Sequence, residues 1–239
     1  LDKSKIISFH YLFEFEEINS KEFKIDLYEK TLNIVGNDIS NKPDWVKLDN
    51  NQCQNCPYDS EKTKYCPIAL NMIEIIDEFK ECISYEKVDV TISTEGRQFK
   101  KRSTIQESLS SIIGIYMVTS GCPVMQKLKP MVRNHLPFAT LEETNYRVLS
   151  MYLLAQYFVY KRGGLPDWDM NDLVKLYEDI KIVNQGFCKR LREIHMEDAS
   201  LNALVILDTF ADFIPFSISE NMLDEVELMF GAYLPSSNE

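Results

Sequence analysis

Residues 6–16 read Ile-Ile-Ser-Phe-His-Tyr-Leu-Phe-Glu-Phe-Glu. Ile7, Phe9, Tyr11, Phe13 and Phe15 fall on alternate positions, with Ser8, His10 and Glu14 between them. Successive side chains of a strand point to opposite faces, so a period of two predicts a β-strand with one face in a core. Working outward, Phe23, Ile25 and Leu27 alternate with Lys24 and Asp26 and predict the return strand, around a turn at Glu17-Ile18-Asn19-Ser20. Leu32 and Ile34 suggest a short third strand, and Gly36 to Asp44 a loop. A second hairpin follows, with Val88, Val90 and Ile92 inward, a turn at Glu95-Gly96, and a return over Gln98 to Arg102. Lys100, Lys101 and Arg102 make that return polar, as suits an exposed edge kept from aggregating by charge.

The remainder has helical periodicity. Pro67 to Phe79 places Ile68, Met72, Ile75, Ile76 and Phe79 on one helix face. Thr104 with Glu107 is a capping-box pattern ahead of Ile105 to Ser120, and Gly121 is a stop. Thr140 with Glu143 opens another helix, halted by Gly163-Gly164 after Lys161-Arg162. That helix is apolar on most sides, which predicts a central position. Further helices are expected over about Asp169 to Met196 and Ala199 to Phe213, the latter ended by Pro215, with a last one from behind Ser219 to about Tyr233. The predicted fold is α+β: a small antiparallel sheet of N-terminal hairpins packed on a C-terminal bundle of about five helices. Residues 1–102 would hold the hairpins, the Cys-rich segment and one helix, and residues 103–239 the bundle, as one cooperative unit.

The 239 residues suffice for a sizeable core, and 45% hydrophobic content with 8 Gly and 9 Pro excludes a disordered or collagen-like chain. No run reaches the ~18 consecutive apolar residues of a membrane span, and Leu1-Asp2-Lys3-Ser4-Lys5 does not read as a signal peptide. A net charge of −11, from 26 bases against 37 acids, argues against nucleic acid and against a membrane as partner. Six Cys without a secretion signal point to a reducing, cytoplasmic setting.

Cys53-Gln54-Asn55-Cys56-Pro57 carries two Cys separated by two residues, with Cys66 following after nine intervening residues and Cys122 after a further 55. Four such thiolates can close a tetrahedral metal site. Cys56, Cys66 and Cys122 each precede a proline, the residue favoured at the first helical position. Cys66 and Cys122 are therefore expected at helix N-termini, where free N–H groups lower a thiol pKa toward the thiolate. Zinc is the expected occupant. The alternative is a [4Fe–4S] cluster, since Cys-Pro junctions also occur in iron–sulfur proteins. Dithiol redox chemistry and inert thiols compete with both, and Cys82 and Cys188 read as ordinary core residues.

Gln52-Cys53-x-x-Cys56-Pro57, Tyr65-Cys66-Pro67-x-Ala69, Thr119-Ser120-Gly121-Cys122-Pro123, Pro130-Met131-x-Arg133-x-His135-Leu136-Pro137 and the run from Glu142 through Phe158 resemble a bacterial family, domain of unknown function 6901. The resemblance covers nearly the whole chain, up to Ser200-x-Asn202-Ala203-Leu204. It implies a bacterial source, a single unit rather than a fusion, and a family pattern that includes Cys53, Cys56, Cys66 and Cys122 but not Cys82 or Cys188. It brings no activity with it.

Lys127, Lys129, Arg133 and His135 form a basic cluster in an acidic chain. Arg133 and His135 are the candidate binding residues for a small anionic ligand. The competing reading has Arg133 tethered to an acid such as Glu142 or Glu143 and His135 as a satisfied structural histidine. Glu143 and Arg147, four apart, read as a helix salt bridge. There is no G-x-S-x-G, phosphate-binding loop or dinucleotide fingerprint. Three functions follow as expectations: a non-enzymatic binding or regulatory module stapled by four-Cys zinc, an iron–sulfur redox or sensor protein, or an enzyme with a pocket near Arg133 and His135. A small anionic ligand or a protein is the expected partner.

Overall fold

The computed structural model describes residues 5–16, 19–36, 41–219 and 223–234. The sheet contains β1 (Ile6–Glu14), β2 (Ser20–Tyr28), β3 (Lys87–Thr94) and β4 (Arg97–Thr104), antiparallel throughout in the order β2-β1-β3-β4. The alternation in β1 decides this arrangement, because Ile7, Phe9, Tyr11 and Phe13 are all buried on one face. Their partners Phe23, Ile25 and Leu27 on β2 and Val90 and Ile92 on β3 extend that face, as does Val88 further along β3. β1 is thus internal, and the Lys100-Lys101-Arg102 strand is an edge, as its charges lead one to expect. The turn expected at Glu17-Ile18 lies outside the described residues. Leu32 and Ile34 do not form a strand: Ile34 makes one isolated bridge to Leu27.

The helices are α1 (Pro67–Phe79), α2 (Ile105–Thr119), α3 (Lys129–Arg133), α4 (Leu141–Lys161), α5 (Asn171–Leu191), α6 (Ala199–Ser219) and α7 (Leu223–Glu227). This is the expected α+β class, with a four-stranded sheet and a helical C-terminal part. α1 begins at Pro67 behind Cys66, because proline's fixed φ suits the first helical turn and its missing N–H is not needed there. α4 carries both halves of its capping box: Glu143 N–H donates to Thr140 Oγ1 at 3.1 Å, and Thr140 N–H donates to the Glu143 carboxylate at 2.8 Å. In α2 the Glu107 N–H donates to Thr104 Oγ1 at 3.3 Å, and the Glu107 carboxylate accepts from Ser103 Oγ. α5 is capped by Asp167, which accepts from Asn171 N–H and Asp172 N–H at 3.2 and 2.7 Å and from Tyr152 Oη at 2.7 Å.

Two helices depart from expectation. α6 runs through Pro215 to Ser219. Proline removes one main-chain bond, but the turn beyond it is held by packing: Ser217 is fully buried, with its hydroxyl 3.0 Å from Asn145 Oδ1 and 2.9 Å from the Ile214 carbonyl. α6 is long and apolar enough to cross a membrane by length and composition, yet it packs on both α2 and α5. α4 is not the central helix. Asn145, Val148, Leu149 and Tyr152 anchor its first half, whereas Leu153, Leu154, Tyr157, Phe158 and Tyr160 are exposed among the described residues. One buried cluster spans from Ile7 on β1 to Ile214 on α6.

Candidate functional site

The Cys-rich segment folds as a turn-rich strap against α5 and the end of α2. Asn50 and Asn51 donate to Glu193 at 2.9 and 2.7 Å, and Asn55 Nδ2 donates to the Asp179 carbonyl at 2.9 Å. Tyr58 Oη donates to the Gly121 carbonyl at 3.0 Å, which brings the strap to the end of α2. Arg190, only 2% exposed, donates through Nη1 to the Trp45 and Lys47 carbonyls. Gly186 on α5 permits the closest approach: a Cβ there would lie 2.7 Å from Cys53 Sγ.

Cys53, Cys56, Cys66 and Cys122 therefore do meet, around a cavity of about 20 Å³ also lined by Leu48, Ile68, Val183 and Arg190. They do not form the expected metal centre. Among the described residues no group of three or more His, Cys, Asp or Glu side chains is placed to hold a metal ion, which overturns both the zinc and the [4Fe–4S] expectations. All six Cys are free. The expected thiolate is not favoured either. Cys66 does cap α1, and the N–H groups of Ala69 and Ile68 pull its pKa down, but burial raises it more. Cys122 has the same balance, with burial outweighing the N–H groups of Met125 and Val124. Burial pushes Cys53 up to about 12, with the neighbouring Cys66, Cys122 and Cys56 adding to it. An apolar shell withholds the solvation a thiolate needs, and helix-end N–H groups do not restore it here.

The basic segment separates into two environments. Arg133, with 48% of its side chain exposed, pairs with Glu29 at 3.0 Å rather than with Glu142 or Glu143. Lys129 donates to Asn33 Oδ1. Both tie α3 to the loop after β2 and lie away from the main cavity wall. His135 turns inward. Its Nε2 lies 2.8 Å from Tyr11 Oη and 3.1 Å from Ser111 Oγ, and its ring meets Phe9 edge-on at 5.6 Å. Burial, and secondarily the Arg147 charge, depress its pKa to about 3, so the ring is neutral near pH 7. Ser111 beside His135 has the outline of a nucleophile and base. However, two hydroxyls share the one ring nitrogen, no carboxylate lies within 4 Å of the ring among the described residues, and the ring is too weakly basic to take a proton.

His135 forms part of the wall of a cavity of about 390 Å³. α2 contributes Ser111, Gly114 and Val118, the 131–139 segment Met131, Val132 and Phe138, α4 Arg147 and Val148, α5 Tyr177 and Asn184, and α6 Leu207 and Phe210. The lining is mainly apolar, and its polar atoms are few. Arg147 Nη2 donates to the Met131 and Asn134 carbonyls at 3.0 and 2.8 Å. The expected Glu143–Arg147 pair does not form, because Glu143 caps its own helix. Among the described residues no carboxylate lies within 4 Å of the guanidinium. Burial lowers the Arg147 pKa, opposed by the more distant Glu143 and Tyr177. Asn184 is 1% exposed, and its Oδ1 has no hydrogen-bond partner, while its Nδ2 reaches Asp208 at 3.5 Å. Among the described residues, the cavity thus combines an apolar body with a cation lacking a counter-anion and a buried acceptor lacking a donor. Sequence reading missed Arg147 as a site residue: i, i+4 spacing to a glutamate is the ordinary signature of a helix pair, and only the backbone turn at 131–134 redirects it.

The chain matches the model of the family described as Domain of unknown function (DUF6901) over residues 9–231, and it belongs to that family. No curated protein and no solved structure matches it.

Proposed function

We propose that this protein is a binding protein for a small amphipathic anion, an apolar molecule carrying one carboxylate. The observation that carries the reading is the 390 Å³ apolar cavity into whose wall Arg147 is built without a carboxylate partner. The volume lies in the range of small-molecule sites, about 300–1,000 Å³. A desolvated guanidinium is costly unless an anion compensates it, and its fork geometry suits a carboxylate. Neutral His135 offers its ring without repelling a nearby cation, and Asn184 Oδ1 can accept from a hydroxyl or amide further along the ligand. Arg133, engaged with Glu29, anchors the segment outside this cavity rather than binding the anion. The proposal keeps the anionic partner expected from the sequence and moves its recognition from Arg133 to Arg147.

Thermal unfolding with decanoate and with uncharged decanol tests this reading. Decanoate is expected to raise the Tm clearly more than decanol does, since both fill the apolar body but only one answers the guanidinium. Arg147→Gln should remove most of the decanoate advantage while leaving any decanol effect in place. Equal shifts for the two ligands in the wild type, or no shift with either, would contradict the proposal.

A further inference from the structure

The second half of α4 is apolar on nearly every side and, among the described residues, uncovered: Leu153, Leu154, Tyr157, Phe158 and Tyr160 are between 37% and 61% exposed. A contiguous apolar surface of this kind marks an interaction site. We infer that it is where two copies of the chain associate, with α4 lying antiparallel on α4 of the second copy. The spacing supports a helix partner. Tyr146, Ser150, Leu153, Tyr157 and Tyr160 are all exposed and follow one another in steps of four, three, four and three, the repeat of a two-helix seam. They lie off the inner stripe of Asn145, Val148, Leu149 and Tyr152 that holds α4 on the body.

The charges select a second copy and its direction. α4 has 21 residues, a length of about 32 Å, and opens with exposed Glu142 and Glu143 and closes with exposed Lys161 and its C-cap Arg162. A two-fold axis near Leu153 sets each copy's acidic first turn beside the other's basic last turn, twice over. It also opposes the two helix dipoles. A parallel pair would set like charge on like. The compensation matters because two chains of net charge −11 repel at long range. A lipid surface would answer the apolar side chains but gives the acidic turn no counterpart.

Sedimentation of the full chain over a wide concentration range tests the inference. The mass should rise from 27.8 kDa toward twice that value. Leu154→Glu with Tyr157→Glu, both at exposed positions, should hold the protein monomeric with an unchanged circular dichroism spectrum. Lys161→Glu with Arg162→Glu should weaken association several-fold, and adding Glu142→Lys should recover part of the loss. A wild type that stays monomeric at all concentrations overturns the inference, including one that instead floats with phosphatidylcholine vesicles. So does a dimer indifferent to the apolar substitutions, or one strengthened by the first charge reversal.

Discussion

His135 shows how far burial changes a residue's chemistry. As a bare letter it is a candidate binding residue for an anion or a structural histidine. In the fold its Nε2 faces two hydroxyls, its ring rests on Phe9, and the Arg147 charge stands nearby. Burial first, and the Arg147 charge second, favour the neutral ring. The consequence for stability has a definite sign. The folded pKa, about 3, lies below the ordinary 6.5, so the unfolded chain binds the extra proton first as pH falls. The stabilisation is complete above about pH 6.5 and is lost progressively down to about pH 3. His135→Gln should therefore flatten the fall of Tm between pH 6.5 and 4 relative to the wild type, even if it lowers Tm at pH 7. Parallel Tm–pH curves for the two proteins would show that His135 titrates normally. The spacing Arg133-x-His135 was legible, but which of the two faces inward depends on the bend at residue 134, and that bend is decided by packing.

At the scale of elements, the approach of α5 to the Cys-rich strap carries the tightest constraint. A Cβ on Gly186 would meet Cys53 Sγ at 2.7 Å and Cys53 Cα at 3.5 Å, so one atom of the thiol blocks a methyl group. Gly186→Ala should cost roughly 1–3 kcal/mol by overpacking. In Cys53→Ala the sulfur is gone, and the same substitution should cost much less, giving a coupling between the two sites in a denaturation double-mutant cycle. Additive effects would mean that α5 and the strap do not meet this closely. Elements whose cues were local were legible beforehand. β1 follows from alternation, α1 from Cys66-Pro67 and its periodic apolar residues, and α4's start from Thr140 and Glu143. Elements whose fate depends on neighbours were not. Pro215 looks like a stop until Ser217 is seen bonded to Asn145, and α4 looks central until its second half is seen uncovered. The Cys residues illustrate the same limit: their convergence was legible from spacing, but not the burial that keeps Cys53, Cys66 and Cys122 as thiols.

At the scale of the molecule, the sheet and the helices divide the work. β1 and β3 close one side of the core and place Tyr11 against Ser111 and His135, which fixes the polar corner of the cavity. α2, α5 and α6 supply its apolar walls, and the first half of α4 brings in Arg147. The second half of α4 leaves the body and carries the surface on which two copies would pair. A binding cavity inside the bundle and an association surface outside it thus share one helix, with Arg147 and Tyr146 adjacent in sequence on its two functional sides.

Calorimetric titration with decanoate at several temperatures reads out whether an apolar anion enters the cavity. One site per chain is expected, with a binding enthalpy that becomes more negative as temperature rises, because burying apolar surface gives a negative heat-capacity change. A titration with no saturable heat at any temperature, or saturable heat with no temperature dependence of its enthalpy, would contradict it.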